Sequence, residues 1–155
     1  MAGLLEEIKQ TKPFASLAEE VYLNLQRTAE ALSWAVAETL RPYELTLVQY
    51  NVLRILRGVS DEGLMCGEIS ERLVTRDSDI TRLLDRLENR GLVARERATN
   101  DRRVIISRIT SEGLNLLSEL DKPVSYATER QLSHLGAELL EQFNALLVLA
   151  RSNIK

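Results

Sequence analysis

Three features of the sequence predict a mainly α fold carrying one small β-hairpin. A helical pattern with apolar residues at 80, 83, 84 and 87 stops at Gly91. Two β-prone runs, residues 92–97 and 104–109, then flank a polar Asn-Asp segment. Long amphipathic patterns lie on either side of this module. Helix, glycine stop, hairpin and returning helix in that order spell a winged helix-turn-helix, flanked by N- and C-terminal dimerisation helices, and the first reading of such a module is DNA binding.

Each element has a local reason. From 15 to 40, apolar residues at 18, 21, 22, 25, 29, 32, 35 and 36 predict one long helix closed by Pro42. Thr46-Leu47-Val48-Gln49 has capping-box form and opens a helix that turns Val48, Val52, Ile55 and Leu56 inward before Gly58. Short helical segments from Gly67 lead to the helix at 77–90, and Gly91 supplies its left-handed stop. Thr110 is the expected N-cap of a helix through Leu114, Leu117 and Leu120, which Pro123 is expected to kink or interrupt. A last helix, near 136–153, carries Leu139, Leu140, Phe143, Leu146, Leu147 and Ala150, a stripe too wide for one small neighbour to cover. Either intramolecular packing or a second copy covers it, and a two-fold dimer is what palindromic half-sites require. The expected division is a dimerisation helix at 1–43, the winged module at 44–110 and further dimerisation helices at 111–155.

Composition sets the frame. A chain of 155 residues, 45% hydrophobic, forms one or two compact units with ample core. It has neither a basic segment leading into an apolar run at its start nor a window near 18 apolar residues, so a cytoplasmic protein without membrane contact is expected. Between Ser70 and Arg108 there are ten Arg, no Lys and seven acids, a net of +3. The whole chain carries −3, so the remainder carries −6. Phosphate contact depends on one basic face rather than on the average. The bland alternative is that these arginines pair with their own acids, for example Arg82 with Asp79 and Asp85.

The polar face of the 77–90 helix presents Ser78, Thr81, Arg82, Asp85 and Arg86, hydroxyls and guanidiniums suited to base edges and phosphates. At the hairpin tip, Asp101 two residues before Arg103 forms a short-range pair that holds one guanidinium extended toward a narrow minor groove; otherwise it is a turn former.

The run Arg82-Leu83-Leu84-Asp85-Arg86-Leu87-Glu88-Asn89-Arg90-Gly91-Leu92-Val93, then Asp101-Arg102-Arg103, then Ile109-Thr110-Ser111-Glu112-Gly113, resembles the signature of the MarR (multiple antibiotic resistance regulator) family of bacterial transcription factors. The resemblance is strong over 45–113 and one of pattern elsewhere. It implies a homodimeric, ligand-responsive repressor on a palindromic operator in double-stranded DNA, with 77–90 as recognition helix and Asp101 with Arg103 as wing-tip pair. Ser78, Thr81 and Arg82 would then touch the groove, Arg76 and Arg86 hold phosphates, and Arg97 and Arg102 contact the backbone along the wing. Asp77 and Asp79 make the helix start acidic: either they cap it and pair with Arg, or they lower non-specific affinity. The resemblance further implies a small aromatic ligand between the dimerisation helices and the winged module, where Tyr22, Trp34, Tyr43, Tyr50 and His134 are candidates, with ordinary packing as the alternative for each.

Cys66 lies just before Gly67-Glu68-Ile69. A helix N-terminus lowers a thiol pKa, so a redox-sensing regulator is one alternative, set against a small buried hydrophobe. One cysteine excludes an intrachain disulfide and a Cys-cluster zinc site. With a single His, no Gly-rich phosphate loop and no His-x-x-x-His or Cys-x-x-Cys, the sequence points to neither catalysis nor a cofactor. The alternative of another class is a winged protein-interaction module whose arginines are paired internally.

Overall fold

The computed structural model describes residues 3–59, 62–75, 79–98, 101 and 103–154. A short helix, α1 (Leu4–Glu7), precedes α2 (Leu17–Leu40), whose start is fixed by Ser16 Oγ accepting from the Glu19 N–H at 3.2 Å. α2 stops where Arg41–Tyr43 tighten into a 3₁₀ turn that contains Pro42. α3 (Leu47–Gly58) begins with the expected capping box: Thr46 Oγ1 accepts from the Gln49 N–H, and Gln49 Oε1 accepts from the Thr46 N–H.

β1 (Leu64–Met65) and α4 (Cys66–Arg72) lead to α5 (Ile80–Asn89), then to the hairpin of β2 (Val93–Arg97) and β3 (Ile105–Ile109). The chain ends in α6 (Ser111–Leu132), a 3₁₀ turn at Ser133–Leu135, and α7 (Gly136–Arg151). β3 is the central strand of an antiparallel sheet of order β1-β3-β2, with Val93 opposite Ile109, Arg97 opposite Ile105, and Leu64 opposite Ser107. The fold is therefore mainly helical with one small sheet, as the sequence predicts. α1 and β1 are additions, too short to leave a periodic pattern.

One core runs through the middle of the chain. Leu53 and Leu56 of α3, Ile69 of α4, Leu87 of α5, Val93 of β2, and Leu117 and Leu120 of α6 are all fully buried, and Leu40 closes the cluster from the end of α2. Each such side chain contributes about 1.5–3 kcal/mol. Pro123 was expected to kink or interrupt α6, yet the helix runs through it without a break. Proline removes only the N–H that would reach the Glu119 carbonyl, and the buried Leu120 and Val124 on either side hold the helix in place.

The flanking helices are much less covered. α7 has no buried residue, and its Leu146 and Leu149 are 62% and 67% exposed; Leu17, Val21, Tyr22 and Leu25 on α2 are exposed too. Of the stripe, Leu139, Leu146 and Ala150 are exposed while Leu140, Phe143 and Leu147 are half-buried, so the chain covers it only in part. An exposed two-pronged ion pair, Arg57 to Asp121 at 2.9 Å in both bonds, ties α3 to α6, and Arg57 holds the Asp121 carboxyl below its usual range. Among the described residues, no helix is long and apolar enough to cross a membrane.

The start of α6 explains the spacing of Thr110 and Gly113. Thr110 Oγ1 accepts from the Gly113 N–H at 3.1 Å and donates to the Gly91 carbonyl at 2.6 Å, while the Thr110 N–H donates to Leu92 O at 3.1 Å. This places the first turn of α6 directly on Leu92: a Cβ at position 113 would lie 2.5 Å from Leu92 O. Gly113→Ala should therefore cost about 1–3 kcal/mol of stability, read as a lowered melting temperature. An unchanged melting temperature would mean that this joint yields.

Candidate nucleic-acid interface

α5 is a two-faced helix. Ile80, Leu83, Leu84 and Leu87 are buried, while Thr81, Arg82 and Arg86 are exposed on the other side. Its N-cap is Asp79, whose carboxylate accepts from the Arg82 N–H at 3.3 Å and pairs with Arg82 Nε at 3.2 Å. The helix thus begins at Ile80, later than the 77–90 span expected, and Asp79 both caps it and aims an arginine. Arg76, Asp77, Ser78 and Arg102 lie outside the described residues. The segment before α5 is tethered to the core helix: Asn51 Oδ1 accepts from the Val74 N–H at 3.0 Å.

Of the two acids that the alternative of internal pairing gives Arg82, Asp79 does pair with it, while Asp85 turns to the wing. Arg95 of β2 donates through Nη2 to Asp85 Oδ1 at 2.5 Å, and through Nε and Nη2 to Glu88 Oε2 at 2.8 and 2.5 Å. The Glu88 bond, with that to Asp85, raises the Arg95 pKa, so this mostly covered guanidinium is a permanent cation between two carboxylates. Arg95 therefore clasps the wing to α5. Sequence reasoning gave it no role, because its partners lie seven and ten positions away.

Arg90 is spent differently, donating to the Tyr43 and Glu44 carbonyls at 2.9 and 2.7 Å. Arg108 pairs with Glu96 along the sheet at 3.2 Å. What the wing offers outward are Arg97, at the distal end of the paired strands, and Arg103 at the tip, both exposed. Asp101 does fix Arg103, though through the backbone: its Oδ1 accepts from the Arg103 N–H at 2.9 Å, and the Asp101 carbonyl accepts from the Val104 N–H at 3.0 Å. The short-range pair expected between carboxylate and guanidinium is a turn bond in the fold.

The aromatic candidates do not converge. Trp34 is 65% exposed on α2 and Tyr22 is exposed twelve residues earlier, its hydroxyl accepting from Gln26 Nε2 at 3.0 Å. About 18 Å of helix separates those two. Tyr50 is buried in the core, with the Arg54 guanidinium 5.9 Å from its ring centre, and burial raises its pKa. Tyr43 is half-buried in the turn after α2. His134 lines a different space, an open cavity of about 830 Å³ between α2, α6 and α7, with Thr28, Leu32, Gln131 and Phe143. Cys66 is exposed rather than a small buried hydrophobe; it is the first residue of α4, and its Sγ lies 4.0 Å from Thr81 Oγ1 of α5.

A helix-turn-helix with an exposed, arginine-bearing outer face, followed by a wing that ends in arginine, has the architecture of DNA-binding transcriptional regulators. The MarR family model matches residues 45–105. A MarR transcription factor from Planctomyces limnophilus is 44% identical in its solved structure, over 88% of this chain and 99% of that one, with a TM-score of 0.69. CouR from Rhodococcus jostii RHA1, solved bound to p-coumaroyl-CoA, is 26% identical over 92% of this chain and 99% of its own, with a TM-score of 0.74. The HTH-type transcriptional repressor MdtR of Bacillus subtilis (strain 168) is 29% identical over 81% of this chain and 86% of that protein. The chain belongs to the MarR family of transcriptional regulators.

Replacing Arg95 with Ala leaves Asp85 and Glu88 facing each other without their cation. A loss of about 1–2 kcal/mol is expected, discounted for the partial exposure of the carboxylates, and it is read by urea denaturation at neutral pH. Equal stability would make the clasp a surface pair without structural weight.

Proposed function

We propose that this protein is a homodimeric, sequence-specific regulator of transcription that binds double-stranded DNA at a palindromic operator and represses by occupying a promoter. The observation that carries the reading is the sorting of side chains on α5, where four apolar residues face the core and Thr81, Arg82 and Arg86 face out. Thr81 and Arg82 are the base-reading groups of this proposal, with Ser78 beside them in sequence, and Arg76 and Arg86 hold phosphates. Arg103, set on its turn by Asp101, reaches a minor groove beyond the recognition helix, and Arg97 and Arg102 follow the backbone along the wing.

Two copies are needed to read a palindrome, and the exposed apolar stripes of α2 and α7 support pairing through the flanking helices. Release by a small aromatic ligand is supported by the relative solved with p-coumaroyl-CoA. Tyr43, in the turn that joins α2 to α3, is the aromatic candidate best situated between the flanking helices and the winged module. The internal pairing of Arg82 and Arg108 favours a second reading, a protein-interaction module. That reading gives partner binding insensitive to salt and no preferred duplex.

Selection of bound sequences from a random duplex pool, followed by affinity against salt, tests the first reading. A palindrome with half-sites about one helical turn apart is expected, with affinity falling steeply as salt rises. Recovery of no motif would end the reading. In the same assay Arg82→Ala should lose about 1–3 kcal/mol of discrimination at one base step, whereas uniform weakening across sequences would make Arg82 a phosphate contact.

The pairing has its own test. Leu139→Glu combined with Leu146→Glu puts two carboxylates on the stripe and should give a monomeric mass in sedimentation equilibrium where the unaltered chain gives a dimer. A double variant that stays dimeric would move the interface away from α7.

A further inference from the structure

The chain passes between the flanking helices and the winged module twice, at residues 41–46 and at 109–111, and both crossings are hydrogen-bonded to the same short segment, residues 90–92. At the first crossing the 3₁₀ turn after α2 ends in a left-handed residue, Glu44 at φ 54°. The Glu44 N–H returns to Arg41 O at 3.0 Å and the Leu45 N–H to Leu40 O at 3.4 Å. α5 ends in the same nested pattern, with Gly91 at φ 70°, the Gly91 N–H on Glu88 O at 2.8 Å and the Leu92 N–H on Leu87 O at 3.0 Å.

The two helix ends meet through one side chain. Arg90 Nη1 donates to Glu44 O and Nη2 to Tyr43 O, so a planar cation lies across carbonyls at the negative end of α2. At the second crossing Thr110 is bonded to the Gly91 and Leu92 carbonyls. Residues 90–92 thus supply a polar tie at each crossing, beside the buried Leu40, Leu45, Leu117 and Leu120 and the Arg57–Asp121 pair.

We infer that Arg90 is a positioning residue that determines operator spacing: its two-pronged bond fixes the tilt of the winged module on α2, and so the separation of the two recognition helices. This rests on the reading above that two copies act together. Three physical facts carry it. Glu44 occupies a backbone region that residues with side chains seldom adopt, so the turn it stabilises needs an outside partner. A guanidinium engages two carbonyls at once and thereby fixes an angle, whereas an ammonium engages them as a point. Without Arg90 the first crossing loses its two-pronged tie to α5 and keeps only the non-directional packing of Leu40 and Leu45, while Thr110 still holds the second, which leaves a pivot at the C-terminal end of α5. The helix is about 15 Å long, so a swing of about 10° moves its start by about 2–3 Å, close to the rise of one base pair.

The chain's one cysteine gives a direct readout. Cys66 is exposed on α4, so a nitroxide on each copy reports the separation of the two winged modules by pulsed dipolar spectroscopy. Arg90→Ala should broaden the distance distribution about twofold or more, with the dimer intact. Arg90→Lys, which keeps the charge but not the fork, should also broaden it. Distributions of equal width in the unaltered chain and both variants overturn the inference and leave the proposed function standing. Absence of dipolar coupling in the unaltered chain overturns the paired reading and this inference together. A melting curve of each variant accompanies the measurement: lost stability alone lowers the folded fraction and does not widen the distances among folded dimers. On duplexes whose half-sites are moved by one base pair, the variants should bind with nearly equal affinity where the unaltered chain discriminates about tenfold; retained discrimination counts against the inference.

Discussion

Leu83, Leu84 and Leu87 share one edge of α5, and their burial fixes what the helix can present to solvent. With 3.6 residues per turn, seating that edge leaves Thr81, Arg82 and Arg86 no direction but outward. α5 packs against α4, which carries Ile69, and against β2, which carries Val93, and Leu53, Leu56, Leu117 and Leu120 join the same cluster. Because a residue-sized apolar side chain contributes about 1.5–3 kcal/mol and a single exposed hydrogen bond about 1, the core decides the rotation of α5. The polar contacts around it refine that placement.

Those polar contacts divide the arginines into two groups. Arg90, Arg95 and Arg108 are used inside the fold, on carbonyls or carboxylates, and Arg86, Arg97 and Arg103 are displayed on the helix and wing. Arg82 does both, held by Asp79 and still exposed. The acids of this region therefore have structural work: Asp85 and Glu88 receive the wing clasp, Asp79 caps α5 and Asp101 forms the turn beneath Arg103. Counting charge along the sequence finds the basic excess but not this division. A chain with an acidic average can thus keep a locally basic outer face.

What was legible in the sequence was local. Thr46 with Gln49, Gly91 and Thr110 each act on backbone groups within a few positions, and each sits where its type and spacing imply. The start of α5 was harder to read, because Asp77, Ser78 and Asp79 can all cap a helix and only the burial of Ile80 favours the last of them. Arg90 reaches carbonyls 46 and 47 positions away, which no residue pattern encodes. At Pro123 the local penalty is real, but it does not interrupt the helix, and Leu120 and Val124 on either side of it are buried. Among the aromatics, residue type does not separate a core ring such as Tyr50 from a surface ring such as Trp34; only tertiary packing does.

On the proposed reading, the two crossings are where the winged module would move against the flanking helices. The winged module is held together by a fully buried apolar cluster, so tilting it as a body costs less than deforming it. The first crossing combines the buried Leu40 and Leu45 with two directional hydrogen bonds from an exposed arginine and an unfavourable backbone angle at Glu44. Each such bond contributes on the order of 1–2 kcal/mol, close to the 1–3 kcal/mol by which a ligand at one site commonly shifts binding at another. On that reading, a joint of that strength would hold one spacing when undisturbed and yield to a modest push on the end of α2. Among its buried residues the core takes in Leu40 alone from α2 and none from α7, so on the proposed reading most of those two helices can shift against the winged module without breaking it up.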